Sequence, residues 1–145
     1  VIALAQGFAA STGSELIITD DPKVGVPGSD VLYTDVWASM GEEAEFEARI
    51  KLLTPYQLNE EMVALANNEN VIVLHDLPAF HDLNTTMAQE IYEKYGLTEM
   101  EITDTVFNAP YAKQFQQAAN RMHTIKAIMA ATLGNVFIPA LATTK

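Results

Sequence analysis

Two short apolar runs, VLYTD (31–35) and VIVLH (71–75), most constrain how this chain can fold. Both are rich in β-favouring residues, and between them lie two helical patterns, EEAEFEARIKLL (42–53) and EEMVALA (60–66). A strand, a helical connection and a second strand usually form a unit with parallel strands and a right-handed crossover. The sequence therefore predicts a parallel sheet with helices packed against it.

The remaining patterns extend this alternation along the chain. The first dozen residues are typical of a helix that ends near Gly13, ELIITD (15–20) alternates like a strand, and further helices are predicted over 86–95 and 117–133. We predict the α/β class: a doubly wound open parallel sheet with helices on both faces. Because Val1 falls inside the first helical pattern, we expect a fragment or a processed chain.

Composition excludes several classes of function. The formal net charge is −11, with eight Lys and Arg residues in total, so a nucleic-acid partner is not expected. The chain has no cysteine, which excludes disulfides and thiolate metal sites and fits a cytoplasmic location. No apolar run reaches the ~18 residues of a membrane helix, so no membrane partner is expected.

Three polar stretches follow or begin the predicted elements. They are TDVWASMG after one strand, HDLPAFHD at the end of the next, and ANRMHTIKA near the start of the last helix. Parallel strands would bring the first two stretches to one edge of the sheet, where ligands bind in α/β folds. The crevice would hold Asp35, Ser39, His75 and Asp76, a set suited to binding an ammonium group and moving protons.

Simpler interpretations remain open for each of these residues. Asp35 is placed to bond its own downstream backbone as a turn cap, and the polar end of 71–76 is also what an ordinary solvated loop would show. Neither His75 nor His81 has the spaced partners of a metal site, so no metal is expected.

Five stretches, in order, resemble the signatures of ornithine carbamoyltransferases: SDVLYTDVWASMGEE, YQLNEEM, LHDLPAFHD, EITDTVF and ANRMHTIKAIMAATL. They extend over nearly the whole chain, and SMG after DVW is specific for the ornithine enzymes among transcarbamylases. The resemblance implies that residues 1–145 form the second, amino-acid-binding domain of a two-domain fold. Helix 117–133 would return towards a carbamoyl-phosphate domain outside this chain.

The resemblance also implies an activity. Such enzymes transfer the carbamoyl group of carbamoyl phosphate to the δ-amine of ornithine, giving citrulline and phosphate, without a metal or organic cofactor. A homotrimer, formed through the carbamoyl-phosphate domain, is expected for the full-length enzyme. The alternative is a catalytically impaired paralogue that retains amino-acid binding or a regulatory role.

Several positions match residues that meet the substrates in the family. Asp35, Ser39 and Met40 match those that hold the α-amino and carboxylate ends of ornithine. Leu77 matches a residue whose backbone carbonyl meets the carbamoyl NH₂ group, and His75 opens the same motif. Arg121 matches the arginine that polarises the carbamoyl carbonyl as the oxyanion develops.

Two positions depart from the family pattern. Asp76 replaces the cysteine of His-Cys-Leu-Pro, and Ala119 replaces the glutamate of Glu-Asn-Arg. A carboxylate within ~4–6 Å of the δ-amine favours the charged ammonium, so Asp76 would tighten ornithine binding while weakening the nucleophile. In the other interpretation, Asp76 is the base that removes the ammonium proton. Asp76 and Arg121 are thus the expected catalytic residues.

Overall fold

A computed structural model of the protein describes residues 1–37 and 46–134. Its helices and strands are α1 (Ile2–Thr12), α2 (Pro22–Gly25), β1 (Val31–Thr34), α3 (Phe46–Leu53), α4 (Glu60–Leu65), β2 (Ile72–His75), α5 (Thr86–Tyr95), α6 (Asp104–Phe107) and α7 (Gln114–Leu133), with a 3-10 turn at Thr54–Tyr56. Within these ranges, no helix combines the length and the apolar character needed to cross a bilayer.

The two strands pair in parallel, as predicted. Val31 lies opposite Ile72 and Thr34 lies opposite His75, and the connection between the strands contains α3 and α4. In the part of the chain that the structure describes, the sheet consists of these two strands. The pairing confirms the α/β class and brings the carboxyl ends of both strands to one edge.

The predicted strand over 15–20 was wrong. These residues take no part in the sheet, and the side chains of Leu16, Ile17 and Ile18 are 43%, 57% and 62% exposed. A strand is stable only when a neighbouring strand satisfies its backbone groups, and none of the described residues pairs with this segment. Alternating hydrophobicity alone does not supply that partner.

Two apolar clusters form the core and meet at one segment. The first contains Leu32, Leu58, Ala66, Val71, Val73, Ile102, Val106 and Phe107, and the second contains Trp37, Phe46, Ile91 and Met100. Met100 and Ile102 are almost fully buried in different clusters, so both fix the residue between them, Glu101. The core therefore holds one acidic side chain in a defined place.

Local signals set most helix ends where the sequence predicts them. Gly13 and Gly96 end α1 and α5 with φ of 73° and 71°, left-handed values that glycine adopts at little cost. The last helix begins at Gln114, three residues before the predicted start at 117. The buried Gln114 amide donates to the Phe107 carbonyl, a tertiary contact that the helical pattern does not reveal.

Replacing Asn59 with alanine should lower the free energy of unfolding by about 1 kcal/mol. The Asn59 side chain accepts a hydrogen bond of 2.9 Å from the Met62 backbone at the start of α4. Urea unfolding measures the change. Asn70→Ala, at an exposed position, is the matched control and should stay within about 0.5 kcal/mol of the unmodified chain. An equal decrease in the free energy of unfolding in both variants would contradict a capping role for Asn59.

Candidate functional site

The structure brings Asp35 and Asp76 to the same edge of the sheet. Each directly follows one of the paired strands, both side chains are exposed, and the Asp76 backbone N–H donates to the Thr34 carbonyl at 3.3 Å. Asp35 Oδ1 accepts a hydrogen bond of 2.7 Å from the Val36 backbone. Asp35 therefore makes the local turn contact that the simpler interpretation foresaw, beside the second carboxylate.

A tyrosine and a glutamine, neither of them a predicted site residue, connect Asp76 to the last helix. The Tyr33 hydroxyl donates to Asp76 Oδ1 at 3.3 Å and accepts a hydrogen bond of 2.7 Å from Gln117 Nε2. The sequence pattern indicates Tyr33 only as part of an apolar strand. Its neighbour Leu32 is buried in the core. Because successive side chains of a strand point to opposite faces of the sheet, Tyr33 is expected on the face opposite Leu32.

Arg121 lies on α7, one helical turn beyond Gln117. Residues four positions apart share a helix face, so Arg121 is on the face that meets Tyr33. The start of α7 is fixed to the sheet, because the Lys113 N–H donates to the Val73 carbonyl at 2.8 Å. The Arg121 side chain itself is exposed. The helix thus presents a solvent-accessible guanidinium on the side of the molecule that holds Asp76.

His75 is not placed as expected for a residue that touches substrate. Its side chain is buried, Nε2 lies 3.1 Å from Glu101 Oε1, and Nδ1 accepts a hydrogen bond of 2.8 Å from the Leu77 N–H. Because Nδ1 accepts, the proton sits on Nε2 and is donated to Glu101. Both ring nitrogens are thus used within the protein, and His75 contacts the Leu77 backbone instead of the crevice.

Leu77 has an uncommon backbone conformation. Its φ is 56°, in the left-handed region that a bulky residue rarely adopts, and the following peptide bond to Pro78 is cis. Three residues further on, the Phe80 N–H donates to Glu101 Oε1 at 2.6 Å. The 77–80 segment is therefore held at both ends, by His75 and by Glu101.

A second polar group lies after β2. His81, Asp82 and Asp104 each have one nitrogen or oxygen that could bind a metal, and these three atoms lie within 4.8 Å of one another. Within this group, His81 Nδ1 is 2.7 Å from Asp104 Oδ1. The hydrogen bond from the Asn84 backbone holds the pKa of Asp82 below its usual range, and the Asn84 side chain and the His81 charge contribute less. We assign no metal here because the Asp82 and Asp104 carboxylates already accept hydrogen bonds from Asn84 and Asn108.

Two of the predicted site residues, Ser39 and Met40, lie outside the described residues, as do 42–45 of the predicted helix 42–53. Their assignments therefore remain predictions. The described part of the site comprises the carboxylates at the strand ends, the Leu77 backbone and the α7 face that bears Arg121.

The sequence matches a known family along most of its length. Residues 1–132 match the family described as "Aspartate/ornithine carbamoyltransferase, Asp/Orn binding domain". The chain is 60% identical over 139 residues to the catabolic ornithine carbamoyltransferase of Streptococcus ratti, covering 96% of this chain and 41% of that relative. It is 61% identical over 136 residues to the catabolic ornithine carbamoyltransferase of Latilactobacillus sakei, covering 94% of this chain and 40% of that relative. The chain thus spans about two fifths of these relatives.

Solved structures show the same similarity in three dimensions. Ornithine carbamoyltransferase from Pyrococcus furiosus superposes with a TM-score of 0.70 at 36% identity, over 89% of this chain and 36% of that one. The enzyme from Gloeobacter violaceus gives a TM-score of 0.69 at 33% identity, over 91% of this chain and 37% of that one. Both sequence and backbone therefore resemble one part of these larger proteins.

Proposed function

Because the chain belongs to the aspartate/ornithine carbamoyltransferase family, we propose that it supplies the amino-acid-binding part of an ornithine carbamoyltransferase. The whole enzyme would transfer the carbamoyl group of carbamoyl phosphate to the δ-amine of ornithine, producing citrulline and phosphate. The parallel pairing of β1 and β2 is the observation that best supports this proposal, since it sets Asp35 beside Asp76 at one sheet edge.

In this proposal the strand-end carboxylates recognise the two amines of ornithine. Asp35 pairs with the α-ammonium, and Ser39 and Met40 hold the carboxylate end. Asp76 lies near the δ-nitrogen, where its charge strengthens binding of the protonated amine. Two exposed carboxylates that follow adjacent strands suit a ligand that carries two amines.

The remaining groups act on the carbamoyl phosphate. The neutral δ-nitrogen attacks the carbamoyl carbon, and the Arg121 guanidinium donates to the oxygen that becomes negative in the tetrahedral intermediate. The Leu77 carbonyl accepts a hydrogen bond from the carbamoyl NH₂ and orients it. The bond to the phosphate oxygen then breaks, phosphate leaves with its electron pair, and the extra proton of the nitrogen passes to that phosphate.

The α7 helix carries a row of exposed apolar side chains that a neighbouring domain would cover. They are Met122, Ile125, Ile128, Met129 and Leu133. We infer that residues 1–145 form the second domain of the enzyme and that this helix packs against the carbamoyl-phosphate domain. We also infer a homotrimer, formed through that domain, which acts in arginine metabolism in the cytoplasm. Sedimentation of the whole enzyme tests the trimer.

Activity is best tested in a protein that joins this chain to the part of the Streptococcus ratti relative that it does not cover; we call this protein the assembled enzyme. It should form citrulline from ornithine and carbamoyl phosphate, but no product when aspartate or N-acetyl-L-ornithine replaces ornithine. The intact relative is the positive control. A folded assembled enzyme that binds carbamoyl phosphate and makes no citrulline would contradict the proposed function.

Asp35→Asn should raise the KM for ornithine about tenfold or more and change kcat little, because a charged hydrogen bond contributes about 1.5–3 kcal/mol. Steady-state assays of the assembled enzyme measure both constants. Asp30→Asn removes the same charge at the other end of β1 and should leave them unchanged. If the KM for ornithine is unaffected by Asp35→Asn, Asp35 acts only in its own turn.

A further inference from the structure

A buried glutamate, Glu101, lies between the two core clusters without an evident need for its charge. Its side chain is fully buried, and Oε2 has no hydrogen-bond partner among the described residues. A buried polar atom without a partner is costly, and an apolar side chain of the same size would avoid that cost. The position of Glu101 therefore calls for an explanation other than stability.

The other carboxylate oxygen of Glu101 shows what the residue holds. Oε1 accepts hydrogen bonds from His75 Nε2 and from the Phe80 backbone, and His75 Nδ1 in turn accepts from the Leu77 backbone. The chain of contacts thus runs from the core to both ends of the 77–80 segment. Neither His75 nor Glu101 reaches the surface, and what they support is backbone.

The supported backbone includes the strained residue. Leu77 adopts a φ of 56°, and its N–H is the group that His75 accepts. A sparsely populated conformation persists only where its surroundings impose it. Rotation of Leu77 out of this conformation would break the bond to His75 and swing the Leu77 carbonyl, which directly precedes Pro78, away from its present direction.

We propose that His75 and Glu101 are positioning residues that aim the Leu77 carbonyl at the carbamoyl NH₂ group, an inference that rests on the proposed function. His75 fixes the Leu77 N–H, and Glu101 fixes the imidazole and the far end of the segment. A displacement of 1 Å at a reacting group costs on the order of 100-fold in rate, so this support matters for transfer.

Two substitutions of His75 separate its hydrogen bonds. Asn places a side-chain oxygen near the Nδ1 position and keeps an acceptor for Leu77, whereas Gln places its amide near the Nε2 position and keeps the contact with Glu101. In the assembled enzyme, His75→Gln should lower kcat on the order of 100-fold and raise the KM for carbamoyl phosphate, with the KM for ornithine unchanged. His75→Asn should lower kcat clearly less than His75→Gln does.

Amide hydrogen exchange at Leu77 provides a readout that needs no turnover. It should accelerate in His75→Gln and stay slow in His75→Asn, while exchange at Phe80 stays slow in His75→Gln. Equal kinetics and equal Leu77 exchange in the two variants would overturn the proposal, as would a parallel rise in the KM for ornithine. If the unmodified assembled enzyme makes no citrulline, the proposed function fails, yet the exchange result still decides whether His75 holds Leu77.

Glu101 provides an independent pair of variants. Glu101→Gln retains an oxygen for His75 and Phe80, whereas Glu101→Met fills a similar volume without an acceptor. We expect the Gln variant to keep the KM for carbamoyl phosphate within a few-fold and the Met variant to raise it tenfold or more. If both variants fold and have equal KM values for carbamoyl phosphate, the role of Glu101 is overturned. If Glu101→Met does not fold, the comparison of His75→Gln with His75→Asn decides the proposal.

Discussion

Replacing Arg121 with alanine is expected to lower kcat of the assembled enzyme by ~100-fold or more, because removal of one donor to a developing oxyanion typically costs that much. The helix bearing Arg121 is fixed at its start by the bond from Lys113 to Val73, and Gln117, one turn earlier, contacts Tyr33. The KM for ornithine should change little, since the donor acts mainly in the transition state.

Two further variants distinguish this role from a general charge effect. Lys126→Ala removes a positive charge from the same helix, more than one turn beyond Arg121, and should leave kcat within about twofold. Arg121→Lys keeps the charge but not the planar fork of donors, so it should recover only part of the rate. If Lys126→Ala is as damaging as Arg121→Ala, the rate depends on the charge of the helix rather than on one donor.

Asp76→Asn is expected to raise kcat about tenfold and to weaken ornithine binding. A nearby carboxylate raises the pKa of the substrate amine, so its removal lowers that pKa and increases the neutral fraction at neutral pH. The alkaline rise of the kcat–pH profile should therefore move to lower pH. Asparagine still offers an oxygen to the Tyr33 hydroxyl, so the contact at 3.3 Å is retained.

The same substitution separates the two interpretations of Asp76. If Asp76 is a general base, its loss should lower kcat by about 100-fold or more, the opposite direction. Asp76→Cys restores the residue of the family motif and, on our account, should raise kcat as Asp76→Asn does. A fall in kcat in both variants would contradict our account and support the base.

The sequence predicted the elements whose signals are local. VLYT and IVLH are strands in parallel register, and Gly96 ends the helix that begins after Thr85, because β-favouring runs, caps and left-handed glycines act within a few residues. The segment 15–20 has an equally clear alternation and is not a strand. Its pairing depends on a partner, which a single sequence pattern does not identify.

The candidate site was predicted only in part, for a similar reason. The strand order placed Asp35 and Asp76 correctly at one edge. By contrast, local spacing does not indicate the buried contact of His75, because its partner Glu101 lies 26 positions away. Tyr33 and Gln117 are 84 positions apart and form their hydrogen bond only in the folded chain. Contacts of this range follow from packing and not from local spacing.

Calorimetric titration of ornithine and of norvaline into the assembled enzyme tests the central claim most directly. Norvaline has the same α-amino and carboxylate groups but lacks the δ-amine that we place beside Asp76. We predict that Asp76→Asn weakens the binding of ornithine about tenfold and leaves that of norvaline unchanged. Equal losses for both ligands, or no loss for either, would contradict a pocket in which Asp76 meets the δ-amine of a diamino acid.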